Sequence, residues 1–186
     1  MAQLTQRAIL NAFLNLLEQR PFEKITVRDI VVECGITRNT FYYHFEDVYA
    51  VLKALLAEDA KRAAIQSGDS DRLEDCFMEA LSFVLEHRKA AYHICCSSRK
   101  EELLRCLNAE AEPVLARYVD RASQGSEASD EDKARLVRFY RCALIGLLTE
   151  WVDSGMQRDL AIEIRRMGVL MEGSVKSALE NSGNHK

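Results

Sequence analysis

A chain of 186 residues, 48% hydrophobic and 29% charged, can bury a core and stay soluble. Its net charge of −4 excludes a nucleic-acid binder held by a broad basic field, and no apolar run reaches membrane-spanning length. Two prolines and eight glycines leave few breakers, which predicts long helices and no strand.

Leu10, Phe13, Leu14 and Leu17 recur at i, i+3, i+4, i+7, one buried face of a first helix. Arg20-Pro21 ends it, because proline disfavours helical geometry in the residue before it. Thr26 is placed to cap a second helix carrying Val27, Ile30, Val31 and Cys34, and Gly35 sits where a left-handed residue would close it. Thr37 can cap a third helix after a short turn. Asp47 can cap a fourth, through Val51, Leu52 and Leu55 to about Gln66. Ser67-Gly68-Asp69-Ser70-Asp71 predicts a loop.

Helical spacing resumes at Leu73, Phe77, Leu81, Val84 and Leu85, and a short apolar piece runs from Ala90 to Cys96. A long helix follows from about Arg99 to Ala122, with Pro113 as an expected kink. Ser123 to Glu127 predicts a linker, and two final helices span about 130–154 and 158–181. The expectation is an all-α fold of about nine helices.

Function concentrates in TRNTFYYHF, Thr37 to Phe45. Two short helices joined by a tight turn and braced by a preceding helix form a helix-turn-helix, whose second helix enters the DNA major groove. Phe41 and Phe45, four apart, share one face and are expected in the core. Arg38, Asn39, Tyr42, Tyr43 and His44 are left on the other. Arg can pair with guanine and Asn with adenine. Tyrosine hydroxyls, Thr40 and His44 can reach phosphate oxygens, and Thr26 and Arg28 open a helix N-terminus that favours a phosphate. Residues 1–66 carry eight Lys/Arg against eight Asp/Glu, so any DNA contact depends on local placement of charge.

Residues Thr5 to about Leu56, above all ITVRDIVVECGITRNTFYYHF and the helix from Asp47, resemble the N-terminal domain of the TetR family of bacterial transcriptional repressors. The resemblance implies DNA contacts from Thr26, Arg28, Thr37, Arg38, Asn39, Thr40, Tyr42, Tyr43 and His44. It also implies a homodimer on a pseudo-palindromic double-stranded DNA operator. The expected units are a DNA-binding domain at 1–47 and a helical ligand-binding and dimerisation domain at 48–186. The family often carries a lysine near the start of its fourth helix; Val48 stands there, with Lys53 as a substitute contact.

In the C-terminal part, Tyr140, Ala143, Leu144, Leu147, Leu148 and Trp151 stripe one helix, and Leu160, Ile164, Met167, Met171, Val175 and Ala178 the other. They are the expected dimer seam, with Gly146 and Gly168 permitting close approach. A pocket for an unidentified small-molecule effector is expected among Phe77, Leu81, Tyr92, Cys95, Leu103, Leu107, Phe139 and Cys142. His93-Ile94-Cys95-Cys96 offers a redox alternative, and a helical protein-interaction module is another reading. The six cysteines lack zinc spacing and the first residues lack a signal-like core, which predicts a reduced, cytoplasmic protein with no metal or cofactor. No phosphate loop, nucleophile elbow or zinc-helix motif points to an enzyme.

Overall fold

Ile9, Leu10, Phe13, Leu16 and Leu17 line the buried face of α1 (Ala2–Gln19). Proline 21 offers no N–H to extend the helix, and the chain turns through a 3-10 segment, Phe22–Lys24. Phe22 sets its ring edge-on to Phe13, with centroids 6.2 Å apart. The computed structural model describes residues 2–66 and 72–183, so the predicted loop at 67–71 lies outside the described residues. Among the described residues there are eleven α-helices and no strand.

After α1 come α2 (Val27–Cys34), α3 (Arg38–His44) and α4 (Val48–Gln66). Next are α5 (Leu73–Ala80), α6 (Ser82–Glu86), α7 (Arg88–Cys95) and α8 (Lys100–Ala122). The last three are α9 (Asp130–Asp153), α10 (Leu160–Leu170) and α11 (Ser174–Gly183). The count exceeds nine because two expected helices are each divided. Leu81, at φ −107° and ψ 14°, separates α5 from α6. Gly173, at φ +74°, takes the left-handed conformation glycine tolerates and separates α10 from α11. Helix α8 runs on through Pro113.

Helix α4 packs on α1 and on α5, α6 and α8. Helix α7 lies on α1, while α8 packs against α9 and α5. Helix α10 crosses α5 closely: a Cβ added at Gly168 would collide with Glu74 Oε2 and fall 2.6 Å from Glu74 Cβ. Glu74 is itself buried, with its carboxylate paired to Arg72. Among the described residues no helix is long and apolar enough to cross a membrane.

The linker at 123–127 is followed by Ser129, whose hydroxyl caps α9 by accepting from the Asp132 N–H. Asp132 in turn accepts from Ser182 of α11 and from Ser129, and pairs with Arg135 at 2.6 Å. Those hydroxyl donors, with Arg135, hold its carboxyl down at about 2 against an ordinary 3.8. A carboxylate with a lowered folded-state pKa stabilises the fold above its unfolded value and loses that contribution as pH falls through the folded value. Asp132→Asn should therefore be less stable than wild type at neutral pH, the gap closing between about pH 4 and 2. Urea unfolding across that range checks this; a gap that stays constant with pH would rule out the carboxylate as its source.

Candidate DNA-contacting surface

The start of α2 is closed by a reciprocal cap. The Thr26 hydroxyl accepts from the Asp29 N–H at 3.3 Å and donates to Asp29 Oδ2 at 2.6 Å. The Thr26 N–H donates to the same carboxylate at 2.9 Å. These bonds, with Arg20 at 3.5 Å, hold the Asp29 carboxyl below its usual range. Thr26 thus spends its polar atoms inside the helix start. The backbone N–H groups of Val27 and Arg28 remain for an outside acceptor, and a phosphate oxygen is the acceptor a helix N-terminus favours.

Gly35, at φ +69°, lets the chain turn sharply out of α2. Its N–H reaches Val32 O at 3.3 Å and the Ile36 N–H reaches Val31 O at 3.0 Å, the paired bonds of a left-handed helix terminus. Two residues on, the Thr37 hydroxyl accepts from the Thr40 N–H at 3.1 Å and starts α3. The Thr37 and Thr40 hydroxyls are 2.9 Å apart, so those two side chains also hold one another.

Helix α3 then divides by spacing. Phe41 is 0% exposed and Phe45 6%, their ring centroids 6.1 Å apart. Tyr43 is 81% exposed and Tyr42 56%. Arg38 and Asn39 are exposed and His44 is half-buried. Tyr42 meets Phe41 edge-on at 5.5 Å and Tyr43 meets His44 edge-on at 5.1 Å, so the aromatic side chains brace each other along the helix. What remains is a short ridge of guanidinium, amide and phenol groups facing out. Lys53 is engaged elsewhere: its ammonium lies 4.7 Å from the Tyr49 ring centre and 3.9 Å from Glu102 on α8.

Residues 9–55 match the profile of bacterial regulatory proteins of the tetR family, and residues 71–173 match that of a transcriptional regulator C-terminal region. The chain belongs to the TetR family. Its relatives include the HTH-type transcriptional regulator EthR of Mycobacterium tuberculosis, 42% identical over 35% of this chain and 33% of that one. Another is the HTH-type transcriptional regulator UidR of Escherichia coli K12, 32% identical over 33% of this chain and 32% of that one. These alignments span about a third of the curated relatives' length. A solved structure, the dihydroxyacetone kinase operon activator DhaS, superposes with a TM-score of 0.76 over 93% of this chain and 97% of its own, at 20% identity, and shares the fold. Both matched profiles are those of regulatory proteins.

The TetR-like surface departs from its pattern at the start of α4. Asp47 caps that helix, its Oδ1 accepting from the Ala50 N–H at 2.7 Å, and half-buried Val48 stands where the family often has lysine. A carboxylate there repels a phosphate that a lysine would attract. Val48→Lys should tighten DNA binding and steepen the dependence of log K on log salt by about 1. Fluorescence anisotropy at four salt concentrations measures the slope; parallel lines for both proteins would place position 48 away from the DNA.

This TetR-family DNA-binding unit is tied to the rest of the chain at the corner between α7 and α8. His93 Nδ1 lies 2.6 Å from Leu17 O at the end of α1, and the Ser98 N–H donates to Glu23 at 2.7 Å. The Tyr49 hydroxyl donates to Glu102, and the Arg99 guanidinium lies 4.6 Å from the Tyr49 ring centre. The same corner reaches α9 through Lys100 and Asp153 at 2.8 Å. Motif reading missed these ties, whose partners lie 50 to 80 residues apart in many cases and carry no local signal.

Among the expected pocket residues, Phe77, Leu81, Cys95, Leu103 and Leu107 are buried, while Tyr92, Phe139 and Cys142 are exposed. Leu107 lines a narrow cavity of about 50 Å³ between α4, α5, α6 and α8; the other seven do not reach it. Burial pushes the Cys95 thiol up to about 11, the opposite of what a thiolate sensor requires. Among the expected seam residues, Leu144, Leu148, Trp151 and Val175 are buried within the chain's own core, and Leu147, Met167 and Met171 are half-buried. Trp151 also donates its indole N–H to Arg158 O at 2.7 Å. Gly168 meets Glu74 of the same chain, whereas Gly146 has nothing within 4 Å. The apolar residues left uncovered are Ala143 and Gly146 of the expected seam with Phe139 and Cys142 beside them on α9, and Ile162, Val169 and Leu170 on α10. Both faces of α9 are apolar, so spacing alone does not say which turns inward.

Proposed function

We propose that the protein is an effector-responsive repressor that binds a pseudo-palindromic operator as a cytoplasmic homodimer. Residues 1–47 would contact DNA, and residues 48–186 would dimerise and bind the effector. The observation that carries this reading is the uncovered apolar face on α9 and α10, with Phe139 60% and Leu170 71% exposed. Exposed apolar residues grouped along a helix face mark an interface, and a two-fold axis through them would present two α3 ridges to one duplex. An effector that favours one spacing of those ridges would shift the population toward or away from the DNA-bound form.

Selection of bound sequences from a random DNA pool tests the operator: two inverted half-sites about one helical turn apart are expected. A single unrepeated half-site would sink the dimer reading. Binding that ignores salt would favour a protein partner over DNA. The seam has its own test. Ala143→Glu should weaken self-association at least roughly a hundredfold, because each copy would bring an unpaired carboxylate into the symmetric contact. Light scattering on a sizing column reads this directly, and an unchanged dimer would move the interface off α9. Since the structural neighbour's name describes an operon activator, the sign of regulation needs a reporter gene: repression predicts higher expression when the protein is deleted.

A further inference from the structure

The cavity between α4, α5, α6 and α8 has apolar walls, including Leu56, Phe83, Leu107 and Val114, and three carboxylates, Asp59, Glu79 and Glu110. Two of the three are matched. Asp59 pairs with Arg62 at 2.5 Å and accepts from Ser82 at 3.3 Å; Glu79 pairs with Arg117 at 2.6 Å. Glu110 has no hydrogen bond or ion pair among the described residues. It is half-buried, its carboxyl is pushed up by burial, and the one cation that pulls the other way is Lys61, which is exposed on α4. The lining holds three carboxylates and one guanidinium, Arg117, while Arg62 outside it is shared between Asp59 and Glu86; Glu110 is left without a paired counter-charge in an apolar wall, where an unpaired charge is costly.

We propose that this cavity takes an organic cation of the alkylammonium class, its charged head against Glu110 and its chain between Leu56, Phe83, Leu107 and Val114. The inference rests on the effector-responsive reading above and assigns the effector's chemistry. Size favours a slender ligand, since about 50 Å³ is well below the volume of a drug-sized site. Admitting a chain requires the walls to part, and each has an interruption in its helix. Helix α8 lacks one backbone donor at Pro113, which itself lines the cavity, and Leu81 interrupts the chain between α5 and α6. A neutral or anionic amphiphile of the same shape would leave Glu110 unpaired or repelled.

Isothermal titration of the full chain with decyltrimethylammonium, 1-decanol and decanoate tests this without DNA. The cation is expected to bind once per chain, at least roughly tenfold tighter than either of the others. Glu110→Gln should abolish that preference, whereas Glu112→Gln, on the exposed side of α8, should keep it. Equal binding of the three probes by the wild-type chain, no binding of the cation, or a preference that survives Glu110→Gln would each overturn the proposal. Repeating the titration with operator DNA separates it from the effector reading. Cation binding with the expected preference but no change in DNA affinity upholds the site and counts against an effector role. DNA release by decanoate and not by the cation upholds the effector role and overturns the site.

Discussion

Replacing Phe41 by alanine is expected to remove about 3–5 kcal/mol of stability, the usual cost of truncating a fully buried phenylalanine. Phe41 is 0% exposed and touches Phe45, so its loss opens a cavity between α3 and the rest of the N-terminal unit. A domain stable by only about 5–15 kcal/mol cannot absorb that without consequence. Tyr43→Ala, two residues on and 81% exposed, should change stability by no more than about 0.5 kcal/mol. Urea unfolding of both variants gives the comparison. A cost below about 1 kcal/mol for Phe41→Ala would mean that α3 is not anchored through that ring.

The second large effect concerns DNA. Arg38→Ala is expected to cost about 1–3 kcal/mol of operator affinity, concentrated at one or two base positions, because an exposed guanidinium at the start of α3 is placed to meet a base edge. Asn39→Ala should act in the same way. Arg28→Ala at the start of α2 should weaken all sequences alike and reduce the salt slope by about 1, the mark of a lost phosphate contact. Neither arginine lies in the core, so thermal unfolding should not move. The readout is a binding matrix over single-base operator variants. If Arg38→Ala lowers every entry of that matrix equally, α3 is not read through that residue.

Much of the N-terminal architecture was legible because its signals are local. Thr26, Gly35 and Thr37 have side chains or backbone freedom that suit one place in a helix, and the structure puts each at that place. Phe41 and Phe45 follow the helical period and are buried together. The extra divisions in the C-terminal part are of two kinds. Gly173 is visible in the sequence but lies inside a helical pattern that masks it; the break at Leu81 has neither glycine nor proline, and Leu81 is fully buried. Tertiary packing sets that break, and periodicity has no access to it. The engagement of Lys53 was equally hidden, since Glu102 comes from a helix about fifty residues later. The same limit holds for α9, where Leu144 and Leu148 on one face and Phe139 and Ala143 on the other are all apolar.

Helix α3 has seven residues, far below the about 12–15 at which an isolated helix becomes even marginal in water. The ridge of Arg38, Asn39 and Tyr43 therefore exists only while Phe41 and Phe45 are buried, and an unfolded chain offers DNA no such ridge. Operator DNA is then a ligand of the native state alone, and mass action obliges it to raise the melting temperature. At a free concentration one hundred times the dissociation constant the gain is about 2.7 kcal/mol. Candidate duplexes could thus be ranked by heating alone, with the best operator giving the largest upward shift.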